Sequence, residues 1–333
     1  MLFRNALRLF MENFKNVYKI LIYKFIVAIV AAALYSALLL PQVIEILESV
    51  EMAGLIANVK EFIFALLDGN SDGLHAIREQ IISSANGVLS FISTRTIGLI
   101  LSVVGCVLVY LLARFTDTLC YFSMGDMLGD KMESYAETPF WASYVKNLAK
   151  GSLYSVVYVC AIFLFDAVIL AGCYFLFFYL TKFLNLVLSV FLSVTCIVLA
   201  NALKLTLTSV WMPAMTADDK SLKKAIQAWN GVDKKLRWGV FSTYLVSVYL
   251  VLSVNVIGLL TTFGSSVFLT LPASYFYFIC LQYVNYYTLT GKKYFLTHER
   301  IVTNELHGDE SLAVEFIAHA GEEKEELKEE NKD

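Results

Sequence analysis

Charge is what this 333-residue chain has least of. Only 17% of its residues are Asp, Glu, Lys or Arg, against 58% that are hydrophobic. Soluble domains carry about 25% charged residues, and one core cannot hide so much apolar surface. The net charge is only −3, so nothing draws the chain to nucleic acid. The six cysteines (Cys106, Cys120, Cys160, Cys173, Cys196, Cys280) lie in or beside apolar tracts without a CxxC pair. That argues against a disulfide framework and reads them as small buried apolar residues. HExxH, Walker A, GxGxxG, GxSxG and EF-hand spacings are all missing, and His75, His298, His307 and His319 are scattered. The chemistries that depend on those motifs have no foothold, and no enzyme activity, cofactor or metal is expected.

What the chain does have is long uncharged runs. Residues 151–181 carry a single charge, Asp166. At 1.5 Å per helical residue this tract reaches roughly 46 Å, enough to cross a hydrocarbon core of about 30 Å with some tilt. Runs of this kind place spans at 20–41, 96–116, 152–180, 184–211, 238–260 and 266–290. The last two share 54 uncharged residues, 238–291, which are divided by Gly258, Gly264, Ser265 and Ser266. Pro41 marks the far end of span one, and Pro272 predicts a kink in span six. Arg4, Arg8, Lys15 and Lys19 precede the first run, but that run continues uncharged from Phe25 to Ile44, too long for a signal core. The fold class is therefore all-α, a polytopic membrane bundle of six transmembrane helices.

Between the spans lie amphipathic pieces. Residues 1–16 have apolar Leu2, Phe3, Ala6, Leu7, Phe10 and Phe14 at helical spacing between basic residues, the pattern of an interfacial helix. In 45–92, two amphipathic runs flank the turn signal GNSDG (69–73), which predicts an extracytoplasmic helical hairpin. Residues 117–150 read as a polar loop ending in an amphipathic piece, and 213–237 as a strongly basic loop. The membrane domain spans 1–293, and the acidic tail 294–333 is expected to be flexible, its EEKEELKEENKD end being too poor in apolar residues to fold alone. With the N-terminus inside, the outer side keeps only Lys60, Arg78, Arg95 and Lys182 of the 26 basic residues. Both termini are thus expected in the cytoplasm, with the chain in the plasma membrane. The expected partners are the lipid bilayer, with anionic headgroups at the basic loops. Partner proteins could dock on the hairpin or the tail.

Three times a basic amphipathic stretch leads into an outgoing span followed by a return span. The stretches are ALRLFMENFKNVYKIL (6–21), ASYVKNLAKGSLYSVV (142–157) and AIQAWNGVDKKLRWGV (225–240). All three run the same way, as a parallel repeat. With FWASYVKNLAKGSLY and LKKAIQAWN, the layout over 1–293 resembles a group of bacterial six-span proteins related to the membrane domain that precedes some glycerophosphodiester phosphodiesterases. The resemblance implies the six-span fold. Some 40 residues follow span six, so the phosphodiesterase activity and its residues are not implied.

Polar residues inside spans are the candidate site. Asp166 near mid-span is costly in hydrocarbon, and is either an ion or proton site or a protonated carboxyl bonded between helices. Lys204, with Asn201 on the same face, either approaches Asp166 or snorkels to the surface. By depth along the two spans, a direct pair needs a long reach or a shifted span. Asn255, Gln282 and Asn285 either bond between helices or line a polar path. Tyr275, Tyr277, Tyr283, Tyr286 and Tyr287 crowd span six as packing residues or as a cage for a cation. Asp126 and Asp130 are read as capping groups rather than metal ligands. Two functions follow from these readings. The first is a permease-like protein that moves or binds a small or amphiphilic molecule, and the second is a scaffold for partner proteins or lipids.

Overall fold

Few breakers interrupt the apolar runs, and they fold as helices. The computed structural model describes residues 2–67, 71–232, 234–297 and 300–303. In order they form α1 (Leu2–Glu12), α2 (Lys15–Leu47), α3 (Val50–Leu67), α4 (Ser71–Thr94), α5 (Thr96–Ser134) and α6 (Phe140–Lys146). There follow α7 (Leu148–Leu180), α8 (Leu186–Thr208), α9 (Trp211–Thr216), α10 (Leu222–Ala228), α11 (Lys234–Thr261) and α12 (Val267–Thr290). Among the described residues six helices are long and apolar enough to cross a membrane: α2, α5, α7, α8 continued through α9, α11 and α12. The chain is an all-α, multi-pass integral membrane protein.

Two span ends differ from expectation. α2 continues through Pro41 to Leu47, because a proline costs a helix one hydrogen bond without obliging it to end. The segment after span two, expected as a polar loop over 117–150, is helical as far as Ser134. Its acidic residues do not break a helix. Gly125 and Gly129 meet the hydroxyl and ring of Tyr283, so the absent side chains leave room for that tyrosine, reaching from α12, against α5. The break between α11 and α12 falls where the glycines and serines predict it, with Gly264 at φ +90°.

The chain forms two compact units, Phe25–Arg114 and the remainder. In Phe25–Arg114, α3 and α4 pack on each other, and the Asn58 amide donates to Ser84 Oγ at 2.9 Å. Glu45 and Arg95 form an ion pair. Of the expected turn 69–73, residues 69 and 70 lie outside the described residues, and α4 already begins at Ser71.

In the other unit the core surrounds the second half of α12. From Phe276 to Tyr287 every residue except Phe278 is buried. α1, α9 and α11 pack against this stretch, α8 packs on α11, and α7 packs on α8. The Phe10 ring lies 6.0 Å from that of Phe276, and the Tyr287 ring meets that of Tyr294 edge-on at 5.7 Å.

Burial is uneven along the spans. On α7 it stops at Gly151, Tyr154 and Ser155, and on α11 at Val240, Tyr244 and Ser247. Beyond those turns the helices present apolar side chains outward, as lipid-solvated helices do. Past α12 the packed region continues beyond residue 293. Strands Tyr294–Thr297 (β1) and Arg300–Val302 (β2) pair antiparallel and bury Tyr294, Leu296 and Val302. The alternation in YFLT supplies the buried face. Residues 304–333, most of the expected flexible tail, lie outside the described residues.

Each of α2, α7 and α11 is entered from a short helix, α1, α6 or α10. Two of these junctions share one device, an asparagine that donates to the carbonyl four residues earlier. Asn13 donates to Leu9 O at 2.9 Å and Asn147 to Ser143 O at 3.0 Å. Both are buried, and each adds a side-chain bond to a carbonyl near a helix C-terminus that also accepts the same asparagine's backbone N–H.

Candidate functional site

The α7–α8 hairpin brings the two charged candidates together. Asn185 caps α8 by accepting from the Leu188 N–H at 2.9 Å, and the short turn from Thr181 returns the chain alongside α7. Lys204 Nζ then lies 2.5 Å from Asp166 Oδ1, with the side chains 13% and 31% exposed. The lysine therefore reaches inward to the carboxylate instead of snorkelling outward. Its four-carbon stem covers the offset in depth between the two spans.

The other candidates do not join this pair. Asn201 donates to Ile197 O of its own helix at 2.9 Å. Asn255 donates to Val251 O and to Ser274 Oγ, at 2.8 and 2.9 Å, linking α11 to α12. Gln282 and Asn285 are buried in α12. Asn285 lies beside the Tyr244 hydroxyl, yet neither of its amide atoms makes a full hydrogen bond. Of the six residues, Asp166 and Lys204 share one contact, while Asn201 and Asn255 are bonded elsewhere.

Larger polar groupings lie near the ends of the spans. Lys24 Nζ sits 3.8 Å from the Tyr275 ring centre and 5.1 Å from that of Tyr121, and these two rings stack at 5.0 Å. Asp117 completes the site at 3.4 Å. A cation does occupy a tyrosine site here, and it is the chain's own lysine. Asp126, nearly buried on α5, accepts from Ser143 Oγ at 2.8 Å, and Asp130 accepts from Thr138 Oγ1 at 2.5 Å. Both carboxylates tie the 138–143 segment to α5.

The densest grouping was not singled out by the sequence reading. Asp218 accepts from Lys220 Nζ at 2.6 Å and from the Tyr286 hydroxyl, and it pairs with Lys292. Lys292 also lies 3.6 Å from Glu133, which accepts from the Tyr287 hydroxyl at 2.8 Å. Gly291, at φ 69°, ends α12 in the left-handed conformation, and the Lys292 N–H returns to Tyr287 O at 3.0 Å.

Burial alone would raise the Asp218 carboxyl, but hydrogen bonds from Lys220, Lys292 and Tyr286 hold it at about 2. A depressed carboxylate contributes stability that is present above its unfolded value, near 4, and lost as pH falls through about 2. Thermal unfolding from pH 7 to pH 2 should show this acid limb. Asp218→Asn should cost about 1–3 kcal/mol at neutral pH and flatten the limb. A variant with the wild-type stability and acid profile would remove Asp218 from the account.

A comparison with protein-family models, curated proteins and solved structures finds no match to this chain.

Proposed function

We propose that this integral membrane protein binds an amphiphile, holding the polar head near the basic span ends and the apolar tail against the outward-facing turns of the same spans. The observation that carries this reading is the split in burial: the buried residues of α7 and α11 all lie in the first half of each helix, at Gly151, Tyr154 and Ser155 and at Val240, Tyr244 and Ser247, and beyond them most side chains are apolar and face outward. Around the packed ends, Arg4, Arg8, Lys223, Lys224, Lys234 and Lys235 are exposed. Inside the spans, by contrast, Lys204 and Asp166 are spent on each other. An amphiphile fits this division better than a bare ion does. Moving it across would require that ion pair to part. The excess of Lys and Arg at these ends supports a cytoplasmic placement of both termini in the plasma membrane.

The test is lipid retention. Purified in mild detergent and measured by native mass spectrometry, the protein should keep bound phospholipid enriched in anionic species over the source membrane. Bound lipid with the composition of the bulk membrane, or none, would overturn the reading.

A further inference from the structure

A pocket of about 190 Å³ lies between the α1–α2 junction and the end of α5, lined by Asn13, Lys15, Asn16, Lys19, Lys131 and Glu137 among others. Three lysines face one carboxylate. Lys15 takes that carboxylate at 2.6 Å and holds Glu137 below the usual carboxylate range. Among the described residues, no ion pair is formed by Lys19 or Lys131. Two lining amides add a second demand. Asn13 and Asn16 are 1% and 8% exposed, and the side-chain oxygen of each has no hydrogen-bond donor. Asn13 has already committed its Nδ2 to Leu9 O, so its oxygen is an acceptor without a partner.

We propose that this pocket binds a phosphoglycerol group, an anionic phosphodiester that carries hydroxyl donors. The lysines supply cations for the phosphate oxygens, and the asparagine oxygens accept from the hydroxyls. A headgroup bearing an ammonium would meet three lysines and is disfavoured by charge. The site lies where α2 begins, the level at which a lipid headgroup sits beside a span. This inference rests on the amphiphile-binding reading and names its headgroup and its residues.

The full chain in nanodiscs of phosphatidylcholine, titrated with phosphatidylglycerol, tests it. Lys19→Gln with Lys131→Gln should weaken phosphatidylglycerol binding by at least about tenfold. Lys223→Gln with Lys224→Gln, which removes the same charge from an exposed site, should leave it nearly unchanged. Phosphatidylmethanol keeps the phosphodiester charge without hydroxyls and should bind several-fold more weakly, a preference that Asn16→Leu erases. Unfolding temperatures identify any variant that is merely misfolded, and Lys19→Arg with Lys131→Arg should then retain binding. Soluble glycerol phosphate competing at equal concentration would overturn the lipid source. Equal losses in both lysine pairs would overturn the pocket and leave the amphiphile reading standing. A wild type that binds no phosphatidylglycerol at all would remove both.

Discussion

Lys204→Met is expected to destabilise the protein by about 2–3 kcal/mol, more than Asp166→Asn does. The 2.5 Å pair is enclosed by α7 and α8, and removing one member leaves the other uncompensated. The two members are not equivalent. A lysine freed from its partner has a long stem and lies near a span end, so it can extend to the interface. Asp166 has one methylene and sits in the middle of a 33-residue apolar helix, with no such exit. The double replacement, Lys204→Met with Asp166→Leu, should recover most of the loss, because neither charge is then left in hydrocarbon. Thermal unfolding in detergent reads all three variants. A harmless Lys204→Met, or a double variant no better than that single one, would show that the pair does not form.

Much of the architecture was legible because lipid simplifies the code. An uncharged run of twenty or more residues has essentially one solution, a helix, and the Gly258–Ser266 break and the return at Thr181–Asn185 both fall where composition predicts. The ends of helices were less legible. Nothing local separates the α5 of the membrane from the α5 that continues to Ser134, since acidic residues suit either a loop or a solvated helix. Partners were least legible of all. Asp166 and Lys204 could be named singly, but whether they meet depends on the register of the α7–α8 hairpin. Asp218, Glu133 and Lys292 lie far apart in sequence, and only the tertiary fold brings the end of α5, the loop after α9 and the residue after α12 together. The buried tyrosines Tyr286 and Tyr287 were visible as a crowd, without the carboxylates that each one serves.

That packing gives the second large effect. Gly125→Ala is expected to cost about 2–3 kcal/mol, although alanine is ordinarily the better helix former. A Cβ at this position would stand 2.8 Å from the Tyr283 hydroxyl and 2.9 Å from the end of Met212. Methionine can bend away. Tyr283 has less freedom, since it is fully buried and its hydroxyl is bonded to Thr216 at 2.5 Å. Relief therefore requires either losing that bond or moving α5 outward, and the second would draw Glu133 away from Tyr287 and Lys292. Gly172→Ala on α7, where nothing lies within 4 Å, should be neutral or slightly stabilising. Tyr283→Phe in the Gly125→Ala background removes the clashing atom, so the double variant should lose less than the two single losses added together. Strict additivity would place the strain elsewhere, and the seating of Tyr283 against α5 would then not depend on Gly125.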